Sequence, residues 1–327
     1  MDLEVVFLGT SASTPTASRA PAALLVRRGG ERLLFDCAEG TQRQLMRSTL
    51  GLPELEEIFI THYHADHTLG LPGMLKTFAL RQRELPLTVY GPPGLRELFG
   101  DLRRVIGKLS YPLETVELRA GQALERDGYR ILVVPVHHGV SAVGYAIDEE
   151  PRPGRFDVDA ADALGVPPGP ERGALQRGES ITIDDGRVIT PDSVLGEARP
   201  GRRVVIAGDT APTESVQVLS EGADLLVHEA TFGEEERDRA IETLHSTARQ
   251  AAEVAAAAQV RLLALTHLSP RYFGRELLDE ARDVFPATVA PRDFDVIEVP
   301  YSERGEPRLV KRGARPPRTS ELPEPAA

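Results

Sequence analysis

Three observations predict a mixed α/β fold. Short apolar runs closed by turn residues fill the first half of the chain, whereas apolar runs alternate with helical stretches in the second. With 41 % hydrophobic and 27 % charged residues, the 327-residue chain has the balance of a globular protein with a full core. That composition excludes a disordered or fibrous chain.

Taken in order, Leu3 to Leu8 reads as a strand ending at Gly9-Thr10. Ala22–Val26 and Leu33–Phe35 flank Arg-Arg-Gly-Gly, a hairpin signal. Glu39–Leu50 has helical spacing. Strand-like runs recur at Glu57–Ile60, Leu87–Tyr90, Ile131–Val136, Val143–Ile147, Val204–Ala207, Leu225–Val227 and Leu262–Leu265. Ser246–Ala258, rich in Ala and free of Gly and Pro, is the clearest helix. About Asp148 to Gly178 the chain is crowded with Pro and Gly and reads as an arm inserted between two strands, with a short amphipathic piece at Phe156–Leu164. Residues 306–327 are Pro-rich and polar, the composition of a disordered tail. One domain over 1–305 carrying that arm is therefore expected.

Charge and cysteine usage narrow the setting. A net charge of −12 argues against general coating of nucleic acid but leaves room for a local basic patch. No apolar run approaches the ~18 residues of a membrane helix, and the first residues lack a basic region followed by an apolar stretch. The single cysteine, Cys37, follows a strand and has no cysteine partner, so it reads as a core residue in a reducing, cytoplasmic setting.

The histidines carry the chemistry. All eight, at 62, 64, 67, 137, 138, 228, 245 and 267, lie just after an apolar run or in a short polar loop beside one. Five strands deliver His or Asp at their C-terminal ends: Thr61-His62-Tyr63-His64-Ala65-Asp66-His67, His137-His138, Gly208-Asp209, His228-Glu229 and Thr266-His267. Imidazole nitrogen and carboxylate oxygen are what zinc accepts besides thiolate. His62 and His64, two apart in an extended segment, point the same way, and the turn that follows can aim Asp66 and His67 elsewhere. Such a set suits two metals sharing a carboxylate around a hydroxide nucleophile.

His62-x-His64-x-Asp66-His67 resembles the signature of the metallo-β-lactamase fold, a four-layer αββα sandwich with metals at one edge. More specifically, the chain resembles the ribonuclease Z family of tRNA 3′-processing endonucleases from Leu3 to about Val299. FLGTSASTPT, LLFDCAEGTQRQL (33–45), ITHYHADHTLGLPG (60–73), HHGV (137–140), AGDT (207–210), VHEATF (227–232), HSTARQAA (245–252), LTHLSPRY (265–272) and the PPGP of the arm carry that likeness.

The resemblance implies that His62, His64 and His138 hold one zinc, that Asp66, His67 and His267 hold the second, and that Asp209 bridges them. It also implies that Asp66 takes a proton from the attacking water and that His245 protonates the departing 3′ oxygen. Glu229 would orient His245 or another imidazole, a buried structural carboxylate being the alternative. His137 stays outside the ligand set. The activity implied is a zinc-dependent endoribonuclease with two Zn²⁺ per subunit. It would remove the 3′ trailer of precursor tRNA by metal-activated hydroxide attack, leaving a 3′-hydroxyl on the tRNA and a 5′-phosphomonoester on the trailer. A homodimer is implied as well, its arm gripping the tRNA elbow across the dimer.

In the arm, Arg152, Arg155, Arg172 and Arg177 are the candidate tRNA contacts, set against seven acids between Asp148 and Glu171. Arg81, Arg83, Arg103, Arg104 and Lys108 are further phosphate candidates, and Lys311, Arg312, Arg315 and Arg318 make the tail basic. Two rivals stay open on the sequence: a small-molecule phosphodiesterase, arylsulfatase-like hydrolase or thioesterase on the same fold, and a non-catalytic RNA-binding module.

Overall fold

Successive side chains of the first strand, β1 (Leu3–Gly9), are buried on both of its faces. Leu3, Val5 and Phe7 enter one core, Val6 and Leu8 another. A strand covered on both sides needs a near-continuous apolar run, and Leu-Glu-Val-Val-Phe-Leu supplies one. The computed structural model describes residues 1–48, 50–52 and 55–311.

β1 is followed by β2 (Ala23–Arg28), β3 (Glu31–Phe35), β4 (Glu57–Phe59), β5 (Leu87–Gly91) and β6 (Leu113–Glu117) in the first sheet. β7 (Ala123–Arg126), β8 (Tyr129–Pro135) and β9 (Val143–Glu149) begin the second. The insertion holds a small ribbon, β10 (Ile181–Thr182) and β11 (Val188–Ile189). β12 (Arg203–Ile206), β13 (Leu225–Glu229), β14 (Leu263–Thr266) and β15 (Thr288–Val289) complete the second sheet, and β16 (Val296–Glu298) and β17 (Arg308–Val310) return to the first. The strand orders are β17-β16-β1-β2-β3-β4-β5-β6 and β15-β14-β13-β12-β9-β8-β7.

The inner faces of the sheets share one core, in which Val5 and Phe7 meet Ile206, Leu225 and Val227. Phe59 stands at its centre, stacked on Phe35 at 5.1 Å and on Tyr90 at 4.7 Å, with Tyr145 edge-on at 5.4 Å. On the outer face of the first sheet, Leu71, Met74 and Leu75 of the helix Gly70–Leu80 cover Val6, Leu8 and Ile58. On the outer face of the second, Ala251, Ala252 and Ala255 of the helix Ala248–Ala257 cover Val205, Leu226 and Leu263. The result is the four-layer αββα sandwich that the resemblance implies. The Ala-rich helix starts one or two residues later than its composition suggests, because Thr247 and Gln250 close a capping box at its first turn.

β3 to β6 run parallel, as do β12 to β15. β9 is antiparallel to both β8 and β12, so β8 runs in the same direction as β12. The loops that follow β8, β12, β13 and β14 therefore leave the second sheet at one edge. Sequence reading passed over β6, β7, β15, β16 and β17, which are short or flank the sheets.

Two expected boundaries are corrected. Asp148 and Glu149 belong to β9, and the excursion runs on past Gly178 to β12. It also has a core of its own, in which Ala161, Val166, Leu175, Ile189 and Val194 are buried. These apolar residues are spaced too widely among Pro, Gly and acids to stand out in the sequence. The presumed tail begins with a strand, since Arg308–Val310 pairs with β16; residues 312–327, with Arg312, Arg315 and Arg318, lie outside the described residues. Among the described residues, no helix is long and apolar enough to cross a membrane.

Where the arm joins the body, Arg202 is 2 % exposed and its guanidinium forks onto Glu149, with Nε to Oε2 at 2.8 Å and Nη2 to Oε1 at 2.9 Å. Arg28 Nε adds a third bond to that carboxylate at 3.0 Å. Burial resists ionisation of Glu149, but the two guanidiniums hold it below the ordinary carboxylate range. Removing one member of a buried ion pair leaves the others without counter-charge. Glu149→Gln is expected to lower the unfolding free energy by about 3–5 kcal/mol in urea titrations.

Candidate metal centre

The His-x-His-x-Asp-His run leaves β4 as an extended segment and turns into a one-turn helix, Ala65–Thr68. His62 is fully buried and His64 exposed, and the turn swings Asp66 and His67 to the other side. His62 Nε2 lies 3.0 Å from His64 Nδ1, and His138 Nε2 lies 3.2 Å from the same atom. Beside this triad stands a second one. His267 Nε2 is 3.2 Å from Asp66 Oδ2 and 3.4 Å from His67 Nε2. Asp209 Oδ2 stands between the two, 3.3 Å from His267 Nε2, 3.4 Å from His67 Nε2 and 3.7 Å from His62 Nε2. The donor atoms of each triad lie within 4.8 Å of one another.

Five imidazoles and two carboxylates thus converge on one edge of the sandwich, a donor set that fits divalent zinc. Four of these groups are held in the form a cation needs. Burial, with the charge of His67 second, keeps His62 well below the usual imidazole range, and burial lowers His64. Burial opposes ionisation of Asp66, but the His267 hydrogen bond and the charge of His67 hold its carboxyl below the ordinary range. For Asp209, burial is likewise outweighed by His267 and His67. Neutral imidazoles and ionised carboxylates are the forms that bind cations. His67 departs from this: burial opposes its charge, but Asp209 and Asp36 outweigh burial and raise it well above the usual imidazole range, so a cation bound there displaces its proton.

Outer partners fix the rings. His67 Nδ1 is 2.7 Å from Asp36 Oδ2, His62 Nδ1 is 3.1 Å from Thr61 Oγ1, and His267 Nδ1 is 2.9 Å from Thr231 Oγ1. His138 Nδ1 donates to the Leu244 carbonyl at 3.1 Å. Such contacts select the tautomer that turns the other nitrogen toward a cation. Sequence reading missed Asp36, Thr231 and Leu244. Asp36 was accessible to the same reasoning as the others, because it too follows a strand end, in Phe35-Asp36-Cys37. Leu244 acts through its carbonyl, which no side-chain pattern reveals. It adopts a left-handed φ of 56°, as do Asp36 at 58° and His267 at 53°, so strained backbone gathers at this edge. Gly208, at φ 68°, lets Asp209 approach, since a Cβ there would lie 3.1 Å from Thr61.

His245 stands on the rim. Its ring is 4.9 Å from that of His138 and 5.6 Å from that of His267. Its Nδ1 pairs with Glu229 Oε1 at 2.7 Å, and Glu229 is fully buried, held by the Thr210 amide at 3.0 Å and the Thr231 hydroxyl at 2.6 Å. Burial would lower the His245 pKa, but the Glu229 carboxylate outweighs it and pushes it up to about 9.

The remaining candidates fall elsewhere. His137 is exposed and joins none of these groups; its amide donates to Thr210 Oγ1 at 3.0 Å. Cys37 is buried, its thiol pushed up by burial and by Asp36, and it joins none of the donor groups. Two of the arm arginines have partners within the protein. Arg152 pairs with Glu303 at 3.0 Å and lies against Tyr301, while Arg172 pairs with Asp162 and donates to the Val166 carbonyl at 2.7 Å. Arg155 and Arg177 are exposed, the latter paired with Glu179 at 2.9 Å. Arg83 caps the Leu85 and Pro86 carbonyls at 2.7 and 2.8 Å, whereas Arg81, Arg103, Arg104 and Lys108 are exposed.

Comparison with known proteins agrees with this architecture. Residues 19–150 match the metallo-beta-lactamase superfamily and residues 175–268 a beta-lactamase superfamily domain. The chain is 46 % identical to ribonuclease Z of Myxococcus xanthus over 306 residues, covering 92 % of this chain and 99 % of that protein. It is 48 % identical to ribonuclease Z of Gemmatimonas aurantiaca over 308 residues, covering 93 % and 98 %. Among solved structures, human tRNase Z, short form, superimposes with a TM-score of 0.65 at 28 % identity, covering 91 % of this chain and 99 % of that one. The chain therefore belongs to the ribonuclease Z family of the metallo-beta-lactamase superfamily.

Proposed function

We propose that this chain is an endoribonuclease that removes the 3′ trailer from precursor tRNA, leaving a 3′-hydroxyl on the tRNA. The observation that carries the reading is the pair of donor triads sharing Asp209, with His245 paired to Glu229 on their rim. The near full-length likeness to ribonuclease Z of other organisms supports the substrate.

His62, His64 and His138 would hold one Zn²⁺ and Asp66, His67 and His267 the other, with Asp209 common to both. When bound, such a pair acidifies a water and neutralises charge that builds on a phosphate. Asp66 takes the proton of the attacking water. The Ser13 amide, 2.7 Å from its Oδ2, and His267 hold the carboxylate in place for this. His245 carries the opposite proton. Glu229 occupies its Nδ1 and keeps the ring charged, which leaves Nε2 to protonate the 3′ oxygen as the trailer departs. Arg155 and Arg177 present exposed positive charge on the arm for the tRNA backbone.

The working form is a homodimer in the cytoplasm, each arm gripping the tRNA cut by its partner. The arm supports this, since it springs from the sheet ends opposite those that deliver His138 and Asp209. The buried, unpaired Cys37 suits a reducing compartment.

Three outcomes are expected. Wild type should cut a 3′-extended tRNA transcript after the discriminator base, with mapping of the product ends showing no cut when a chelator is present. Asp66→Ala should cut at least about 10³-fold more slowly.

Metal analysis should find that His267→Ala loses about one equivalent of zinc and that Asp209→Ala loses more, because one oxygen serves both triads.

For pH, the imidazolium at His245 is lost as pH rises through about 9, so the rate falls along that limb. Glu229→Gln removes the charge that raises this pKa, so the limb should move to lower pH, with a loss of rate on the order of 10–100-fold at neutral pH. A pH profile unmoved by Glu229→Gln would count against His245 as the acid.

A further inference from the structure

The lower arm is a laced ribbon. At its root the Glu149 amide donates to the Arg202 carbonyl at 2.9 Å, and Arg152 and Arg199 exchange backbone bonds at 2.7 and 2.8 Å. Higher up, the Gly196 amide donates to the Arg155 carbonyl at 2.9 Å and the Asp157 amide to the Val194 carbonyl at 2.7 Å. The limbs approach so closely that a Cβ at Gly154 would meet the Gly196 carbonyl oxygen at 1.9 Å. Two cross-bonded limbs resist bending as a single strand does not. The arm is therefore a lever, and the orientation of its tip depends on how its root is held.

The root is held by the turn Ser302–Arg304 and the tyrosine before it. Arg152 and Arg199, one from each limb, both reach the Glu303 carboxylate, at 3.0 and 3.3 Å. The guanidinium carbons of Arg152 and Arg202 lie 3.4 and 4.0 Å from the centre of the Tyr301 ring. A guanidinium over an aromatic face is attracted to the ring's negative face. Tyr301 thus joins an arm arginine to Arg202, which is itself locked into the body through Glu149 and the Val299 carbonyl.

We infer that Tyr301 and Glu303 are positioning residues that set the angle and stiffness of the arm, and through it the capture of precursor tRNA. The inference rests on the tRNA-processing function proposed above. A lever already held in place loses little freedom when substrate closes on it, whereas a loosened one must be ordered at the moment of binding. The brace lies at the sheet ends away from the metal cluster, so its loss acts on substrate capture and leaves the chemical step alone.

The test uses the zinc-loaded full chain with two substrates, a 3′-extended tRNA and bis(p-nitrophenyl) phosphate, together with hydrogen exchange. Tyr301→Leu is expected to raise KM for the tRNA about five- to tenfold. Its kcat, zinc content and rate on the small diester stay at wild-type values, and exchange quickens over 150–157 and 194–200. Tyr301→Phe keeps the ring face and so keeps the wild-type KM. Glu303→Gln raises KM about two- to fivefold, and carries the test with Tyr301→Phe if Tyr301→Leu does not fold. An unchanged KM in folded Tyr301→Leu or Glu303→Gln overturns the brace, as does a Tyr301→Phe defect as large as that of Tyr301→Leu. Wild type that hydrolyses the small diester but never cuts precursor tRNA overturns the proposed substrate instead.

Discussion

Asp209 places one buried carboxylate oxygen within 3.7 Å of three imidazole nitrogens, and the rest of the molecule is arranged around that crowding. Donor groups packed this closely and away from water are costly unless positive charge is shared among them. The fold meets the cost in two ways. It surrounds the cluster with outer partners, Asp36, Thr61, Thr231 and the Leu244 carbonyl, that engage the second nitrogen of His67, His62, His267 and His138. It also hangs the donors from strands whose two faces are both buried, so that the edge they meet at cannot drift.

Rigidity at that edge has a local price in backbone strain. Asp36, Leu244 and His267 all take left-handed conformations that cost non-glycine residues free energy, and all three bear on the cluster. Glu229 shows the same economy of parts. One fully buried carboxylate fixes the Thr210 amide next to Asp209, bonds the Thr231 hydroxyl that orients His267, and keeps His245 charged. The charge on His245 and the orientation of His267 thus both lean on one side chain.

The arm obeys a different constraint. Of the four arginines considered as tRNA contacts, Arg172 is bonded within the arm to Asp162, and Arg152 reaches the body at Glu303 and Tyr301. Arg155 and Arg177 are the exposed two, and the proposed tRNA contact would fall on them and on the shape of the arm. An acidic protein can hold a polyanion on those terms, because the contacts are local and the net charge is not.

The sequence alone determined the chemistry of the edge. Imidazoles and carboxylates at strand ends can be recognised one strand at a time, since a strand's apolar run and the polar residue that ends it are local features. His62, His64, Asp66, His67, His138, Asp209 and His267 were legible in this way as candidates beside His137, His228, Glu229 and His245, and the family resemblance singled out those seven and the four layers. Only the tertiary structure decided which of them meet, that Asp36 and Thr231 stand behind them, and that a backbone carbonyl orients His138. It also decided which partners Arg152 and Arg172 have within the protein and that the arm extends to β12. Those outcomes depend on contacts between residues far apart in the chain, such as His67 with His267 or Arg152 with Glu303, and no local pattern encodes the geometry that joins them.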